Sequence, residues 1–391
     1  MAQLREIGWS AAPPQQSVAF GIPMAEALAE AVRRLSMDRV VVVTANSLAR
    51  PGGLAEKVAA ALGPKFHSMV SGIRPHSPRA EVIRVAEALK GAGGVVTIGG
   101  GSVCDTVKAA RLCVANAIEE ADDIDRLRPY NRVDDGSYGP VKSPTLPFVA
   151  IATALSASEF TSGAGITDER GPVKRVYVYP QLGPDIVILD PEMTVQTPPS
   201  LWFSTGMRAV DHAVETWCSI NPNPLSDAYS LRAAQLLIVS LKQVFDDPND
   251  MNARLDCMKG SWLSILGPAS GGVKAGASHG IGHALGGTAG MSHGDTSCVM
   301  LPHVLRFNEE VNGARQAVIA AMIGEPSRRL GDIVGDLVAH LGLPGRLRDA
   351  DISRDVLPAV ADAAIHDSYV AANPRSISSV SEVRRILEDA W

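Results

Sequence analysis

The stretch Val95-Val96-Thr97-Ile98-Gly99-Gly100-Gly101-Ser102-Val103-Cys104-Asp105-Thr106-Val107-Lys108 decides the fold. A short β-branched run enters a glycine-rich turn, and residues 103–112 leave it with a helical pattern. Glycines carry no side chain, so a phosphate can approach the backbone amides. The helix N-terminus that follows favours an anion. The spacing Gly-Gly-Gly-Ser-x-x-Asp-x-x-Lys is neither GxGxxG nor a Walker loop. Its place between a strand and a helix marks it as a phosphate-binding turn.

Outward from this turn, strand-like and helix-like runs alternate. Residues 25–35 read as helix, 39–44 as a strand, 54–62 and 79–89 as helices, and 148–152 and 185–189 as further strands. The Val40-Val41-Val42-Val43 run is continuous rather than alternating, which signals a strand buried on both faces. This pattern predicts a parallel α/β sheet that binds its ligand at the strand carboxyl ends. A second polar loop, Thr153-Ala154-Leu155-Ser156-Ala157-Ser158-Glu159-Phe160-Thr161, follows the strand ending near Ala152. Its small residues and hydroxyls suit either close contact with a cofactor or an N-cap cluster.

After Asp190-Pro191 helical patterns take over, at 203–217, 226–245, 252–266, 314–323 and 327–341. The reading places an α/β domain at 1–195 and a helical domain at 196–391, with Pro198-Pro199 as the connector.

The helical half holds a histidine cluster, Ser278-His279-Gly280-Ile281-Gly282-His283, continuing to Met291-Ser292-His293-Gly294. His279 and His283 are four apart and share a helix face. His293 follows past glycines that can fold the chain back. Imidazoles gathered in this way hold a divalent cation or move protons, and both uses point to an enzyme.

Composition narrows the class. The chain has 391 residues, 46% apolar and 20% charged, with a net charge of −6. That suits a sizeable core and argues against nucleic-acid binding. Five scattered cysteines without a CxxC pair fit reduced thiols in the cytoplasm. There is no apolar signal core at the N-terminus and no apolar run of transmembrane length.

Together these segments resemble the iron-containing (type III) alcohol dehydrogenase family. The carriers are Gly99-Gly100-Gly101-Ser102 with Asp105 and Lys108; the loop ending Ser158-Glu159, where Leu155 and Ala157 replace the usual glycines; and Ile166-Thr167-Asp168-Glu169 with Lys174. Asp190-Pro191-Glu192 with Thr197-Pro198-Pro199, and His279-x3-His283-x9-His293-Gly294 leading to Leu301-Pro302-His303-Val304 and Phe307-Asn308, complete the set. Asn373-Pro374-Arg375-Ser376-Ile377 and His283-Ala284-Leu285-Gly286-Gly287-Thr288 resemble the maleylacetate reductase branch most. The resemblance implies a dinucleotide-binding α/β domain and an all-helical domain, an architecture shared with dehydroquinate synthase. It also implies NAD(H) or NADP(H) with substrate in the cleft between them, and a homodimer. Cofactor contacts would come from Gly99, Gly100, Gly101, Ser102, Asp105, Thr153, Ser156, Ser158, Lys174 and Ala45. Relatives specific for NAD tend to carry Asp at the Ala45 position, where it repels a 2′-phosphate. Ala45 therefore tolerates NADP(H).

The family usually holds its metal with one Asp and three His. Here His212, His279 and His293 match the histidines, but the Asp position, one turn before His212, is Arg208. Maleylacetate reductases also depart at this position. A guanidinium cannot ligate a metal and stays charged. Two unit charges near 4 Å repel by about 4 kcal/mol at an effective dielectric of 20, and a divalent ion roughly doubles that. Asp211 is expected to point about 100° away from His212 and not to substitute. Arg208 either faces the cluster or pairs with a neighbour such as Glu215. The reading disfavours a metal.

The implied reaction is hydride transfer to a carbonyl or enone carbon of a small, anionic substrate. Arg208 and the histidines His279, His283 and His293 would act on the developing charge, and His283 would deliver the proton. Three rivals stand beside it. They are an iron- or zinc-dependent alcohol or polyol dehydrogenase, an NAD-using sugar-phosphate cyclase, and a non-catalytic NAD-binding protein. No nucleic-acid or membrane partner is implied.

Overall fold

The computed structural model describes residues 16–128, 141–171, 173–269 and 273–391, without the side chains of residues 173 and 174. It divides into two compact units, the first ending at Gln196 and the second running from Thr197 to Trp391.

The first unit contains β1 (Ser17–Phe20), α1 (Met24–Arg34), β2 (Val40–Thr44), α2 (Leu54–Leu62), β3 (Phe66–Val70), α3 (Arg79–Leu89) and β4 (Gly94–Gly99). It continues with α4 (Gly101–Ala115), β5 (Phe148–Ala152), β6 (Gly163–Asp168), β7 (Val173–Val178) and β8 (Ile186–Leu189). Six strands form one parallel sheet in the order β1-β8-β5-β4-β2-β3. The period of two splits the valine runs between the faces. Val40, Val42, Val96 and Ile98 pack with α1 and α2, while Val41, Val43 and Val95 pack with α3 and α4. Every residue of β2 is buried, which accounts for its unbroken apolar run.

From β2 the chain crosses to β3 on one side and then to β4 on the other. The strand order therefore reverses between β2 and β4, and ligands of open α/β sheets bind at such a point, outside the strand carboxyl ends. Ala45 follows the end of β2, and Gly99 ends β4 with Gly100-Gly101-Ser102 leading into α4. Three features escaped the sequence reading. β1 and β3 are partly exposed edge strands, so neither shows a buried apolar run. β6 and β7 form a separate antiparallel pair.

The second unit is helical, with no strand among its described residues. Its helices are α5 (Pro199–Trp217), α6 (Pro224–Asp246), α7 (Met251–Ala269), α8 (Ala277–Ala289), α9 (His293–Met322), α10 (Leu330–His340), α11 (Leu357–Ala364) and α12 (Val380–Asp389). One expectation needs correction. Pro198-Pro199 is not a free connector, because Pro199 opens α5, where its missing N–H costs nothing. The helix read at 314–323 matches the part of α9 beyond a kink at Asn312, where the backbone leaves helical geometry. Gln316 Nε2 donates to Leu305 O at 2.9 Å and to Asn312 Oδ1 at 2.7 Å, which bridges the irregular turn. Among the described residues no helix is long and apolar enough to cross a membrane.

Lys108 and Asp105 tie the phosphate turn to the loop after β5. Lys108 is fully buried, and its Nζ donates to Ser158 O at 2.6 Å, Gly163 O at 2.7 Å and Thr161 Oγ1 at 3.0 Å. Beside them lies Glu159, 4% exposed, whose carboxyl is pushed up to about 7 by burial against the opposing pull of Lys108. An acid raised above its ordinary 4.5 is protonated in the folded state while the unfolded chain ionises. Stability is therefore lost as pH rises from about 4.5 to about 7, and the loss is constant above that. Glu159→Gln is predicted to be the more stable protein above pH 7, by roughly 3 kcal/mol, and to match the wild type in acid. Urea unfolding across pH checks this.

Candidate active site

The glycine turn leaves its backbone open to close approach. Gly99 has φ +153°, and a Cβ there would lie 2.8 Å from Val103 Cγ2, so no other residue fits. Gly100 is the N-cap of α4 and no side chain caps the helix. The first amides of α4 are thus left to an external acceptor. Ser102 Oγ accepts from His76 N at 3.0 Å, so this hydroxyl is already fixed by the turn at 76–77. Asp105 is also engaged within the unit. Its carboxylate accepts from Ser158 Oγ at 2.5 Å and from Gly165 N at 2.9 Å.

The neighbouring loop lies against this turn. Thr153 is buried, with its N–H 3.3 Å from Gly99 O, and Ser156 Oγ is buried without a hydrogen-bond partner among the described residues. Ala157 stands in the left-handed region at φ +57°, a backbone conformation that favours glycine. The side chain of Lys174 lies outside the described residues. Ala45 is partly buried against the core.

In the second unit four side chains of α5 line one face, Arg208, Asp211, His212 and Glu215, at spacings of three, four and seven. Glu215 caps α8. Its carboxylate accepts from Gly276 N at 2.9 Å, Ser278 N at 2.9 Å and His279 N at 3.1 Å. It also accepts from His279 Nδ1 at 2.8 Å. A negative charge thus sits where the α8 dipole is positive and orients the first histidine of the cluster. Asn373 adds a second tie, accepting from Ala277 N at 3.1 Å and exchanging amide bonds with Asn308 of α9 at 3.0 and 2.7 Å.

Asp211 is fully buried. Its Oδ2 accepts from Ser278 Oγ at 2.9 Å and Ser297 Oγ at 2.6 Å, and its Oδ1 lies 3.5 Å from His279 Nδ1. The expectation that Asp211 points away from the cluster is corrected. Although it diverges from His212 on the helix, α8 and α9 pack over both, so the two side chains enter the cluster from different sides. Arg208 Nη1 donates to Ser297 Oγ at 3.1 Å and stands 3.7 Å from Asp211 Oδ2. Glu215 is occupied by α8 and is not the partner of Arg208.

The four histidines gather. The His212 and His279 rings stack with centroids 4.9 Å apart, and His283 meets His293 edge-on at 6.4 Å. His212 is held well below the usual imidazole range by burial and by the charges of His279 and Arg208. His279 goes the other way. Burial and Arg208 oppose its protonated form, but Asp211 and Glu215 outweigh them and raise its pKa. The cluster therefore holds one neutral imidazole stacked on one that favours the charged form. In the cluster, His212 Nδ1, His279 Nε2 and Asp211 Oδ1 are buried without a hydrogen-bond partner among the described residues. Among the described residues, the ligand atoms that converge within 4.8 Å belong to Asp211, Glu215 and His279.

Asp211, Glu215, Ser278, Ser297, Asp367 and Tyr369 are neighbours of the cluster that the sequence reading did not place there. One signal was available. Asp211 and Glu215 are charged residues inside the otherwise apolar run Ala209-Val210-Asp211-His212-Ala213-Val214-Glu215, and buried charges need partners.

Residues 14–191 match the family model described as iron-containing alcohol dehydrogenase, and residues 202–391 match the model for the C-terminal part of the same family. The chain belongs to the iron-containing alcohol dehydrogenase family. It is an oxidoreductase, on the maleylacetate reductase-like side of the family. It is 32% identical to Dehydrogenase FUM7 of Gibberella moniliformis, over 91% of this chain and 92% of that one. It is 29% identical to lactaldehyde reductase of Escherichia coli, over 95% and 97%. The solved structure of maleylacetate reductase from Agrobacterium tumefaciens superposes with a TM-score of 0.81 at 27% identity, covering 99% of both chains. The α/β unit followed by a helical unit is the fold of these relatives.

Glu215 makes the sharpest structural prediction of this site. Glu215→Ala strands three α8 amides and the His279 ring, and is expected to lower unfolding free energy by about 3–5 kcal/mol. Glu215→Gln, which keeps one acceptor oxygen, is expected to lose less. Denaturant unfolding of both variants measures the difference.

Proposed function

We propose that this protein is an NAD(P)H-dependent reductase that transfers a hydride to a carbonyl or enone carbon of a small, anionic substrate, without a metal. The observation that carries the reading is Arg208, a guanidinium with its side chain only 14% exposed, beside Asp211 and the histidine cluster. Among the described residues only its Nη1 has a hydrogen-bond partner. The remaining N–H groups form a fork suited to a carboxylate or similar anion. Likeness to a maleylacetate reductase, whose name states a dicarboxylate substrate, supports the same reading.

The residues do not fit the divalent ion that the family name implies. Glu215 is occupied as the cap of α8 and as the acceptor of His279 Nδ1, so it is withdrawn as a ligand and leaves that ring only Nε2. Asp211 Oδ2 accepts two hydroxyls and faces a guanidinium. A dication there would be repelled by the guanidinium and would compete with it for Asp211. We therefore assign the electrophilic role to Arg208 and His279, whose donors can stabilise an alkoxide as it forms. His283 supplies the proton and His293 lines the same cluster.

A cofactor fits the first unit. The backbone at Gly100, Gly101 and Ser102 would take its phosphates, Gly99 makes the turn, and Thr153, Ser156 and Ser158 line the adjoining loop. Asp105 holds that loop in place. When bound, the reduced nicotinamide supplies the hydride. Ala45 leaves room for either NADH or NADPH. We assign dinucleotide binding to the first domain, 1–195, and the substrate site to the second, 196–391. Five buried free cysteines support a reducing, cytoplasmic setting, and a homodimer is part of the same reading.

A second reading keeps a metal. The unpartnered His212 Nδ1, His279 Nε2 and Asp211 Oδ1 favour it, since buried polar atoms seek a ligand. In that case the protein is a metal-dependent alcohol dehydrogenase. Oxidation of NADH and NADPH with maleylacetate, keto acids and neutral aldehydes, with and without chelator, separates the two. Chelator-insensitive turnover of anionic substrates is expected, and stoichiometric metal or chelator sensitivity overturns the metal-free reading.

Arg208→Ala is predicted to raise KM for the anionic substrate by about 10- to 100-fold, or roughly 1.5–3 kcal/mol. Arg208→Asp is predicted to create zinc binding, read by metal analysis. For the cofactor, Gly101→Val would push a side chain into Ser156 Oγ, only 3.2 Å from a Cβ at Gly101, and should weaken NADH and NADPH binding together. Ala45→Asp should shift preference towards NADH. Fluorescence titration of both cofactors checks the pair.

A further inference from the structure

The segment after α11 packs directly on α8. Its approach depends on Gly280. A Cβ at that position would lie 2.6 Å from Val370 Cγ2, 2.8 Å from Val370 N and 3.2 Å from Asp367 Oδ1. This close packing sets two side chains against His283. Asp367 Oδ2 lies 3.0 Å from His283 Nδ1, and the Tyr369 ring meets the His283 ring edge-on at 5.4 Å and 76°. Ring orientation and one ring nitrogen are thus fixed by the same short segment.

The other oxygen of Asp367 settles which nitrogen carries the proton. Asp367 Oδ1 accepts the backbone N–H of Tyr369 at 2.7 Å. An amide N–H only donates, so it holds the carboxylate in one orientation. An ionised carboxylate only accepts, so His283 Nδ1 must be the donor across the 3.0 Å contact. Nε2 is then the nitrogen able to exchange a proton.

We propose that Asp367 is a positioning residue that holds His283 in its Nδ1–H form and makes Nε2 the proton-delivering atom of the reaction. This rests on the assignment of His283 as proton donor. The carbonyl carbon accepts hydride from the reduced nicotinamide, which is oxidised, and the C=O π pair becomes an alkoxide. The Nε2–H bond of the His283 imidazolium breaks and the alcohol O–H forms. The ring is left neutral, still donating Nδ1–H to Asp367. Water restores the Nε2 proton, since the His283 side chain is 38% exposed.

Asp367→Asn tests the assignment. The Tyr369 N–H retains the amide oxygen, so the NH2 faces His283 Nδ1 and must find an acceptor there. The ring is forced into the Nε2–H tautomer, with Nε2 unable to accept and the imidazolium opposed by a facing donor. Protein labelled with 15N-histidine reports the tautomer directly in long-range 15N–1H spectra, about two pH units above the ordinary imidazole pKa. The His283 signal is assigned by its loss in His283→Gln. The expected result is Nδ1–H in the wild type and Nε2–H in Asp367→Asn. With it, kcat should fall by roughly 10²- to 10⁴-fold while KM changes little, and Asp367→Glu should recover part of the loss. An Nε2–H tautomer in the wild type overturns the proposal even if the variant does not fold. So does an unaltered kcat in a folded Asp367→Asn. A wild type that reduces no carbonyl with NADH or NADPH overturns the reductase reading instead, and the wild-type spectrum still decides the role of Asp367.

Discussion

The helical unit depends on one carboxylate. Glu215 comes from α5 and ends at the start of α8, where it takes three backbone N–H groups and the Nδ1 of His279. A helix N-terminus carries partial positive charge and unsatisfied donors, and a buried carboxylate needs both. Each cancels the other's desolvation. The same contact fixes the tautomer and direction of His279 and hence the place of its Nε2. Helix packing and site geometry are here a single interaction. Loosening it would move the cluster as well as weaken the fold.

Arg208 changes the chemistry that this scaffold can carry. One turn from His212, a carboxylate would add negative charge to a nest of imidazoles and invite a cation. A guanidinium does the opposite, because it brings its own fixed positive charge and directional donors. Asp211 balances that charge at 3.7 Å and is itself held by Ser278 and Ser297. His279, flanked by Asp211 and Glu215, favours protonation, while His212 is driven neutral by burial and its charged neighbours. Stacked at 4.9 Å, the two rings could not readily both be charged.

The α/β unit solves a different problem. A glycine turn that presents bare amides cannot be stiffened by side chains of its own. Rigidity comes from behind, through the buried Lys108 and through Asp105, which lash α4 to the loop after β5. The residues spaced after the glycines in the motif thus support the turn from inside, and Ala157 accepts a left-handed backbone to keep the loop in place.

Much of this was legible in the residues themselves. The Val40–Thr44 and Gly94–Gly99 strands, the glycine turn and the helical second half follow from period, β-branching and turn chemistry, which are local properties. The spacing of His279, His283 and His293 announced a histidine cluster, and position 208 an arginine where the family usually has an acid. Other features depended on contacts between distant segments. Edge strands β1 and β3 lack a buried face to mark them. Asp211 looked misdirected because helix geometry gives its angle relative to His212 but not which helices pack around both. Glu215 and Asp367 meet their histidines across 64 and 84 residues. Local sequence determined the elements and the kinds of chemical group available. Tertiary packing decided which carboxylate met which imidazole, because a buried charge takes its partner from whatever the fold brings within hydrogen-bond reach.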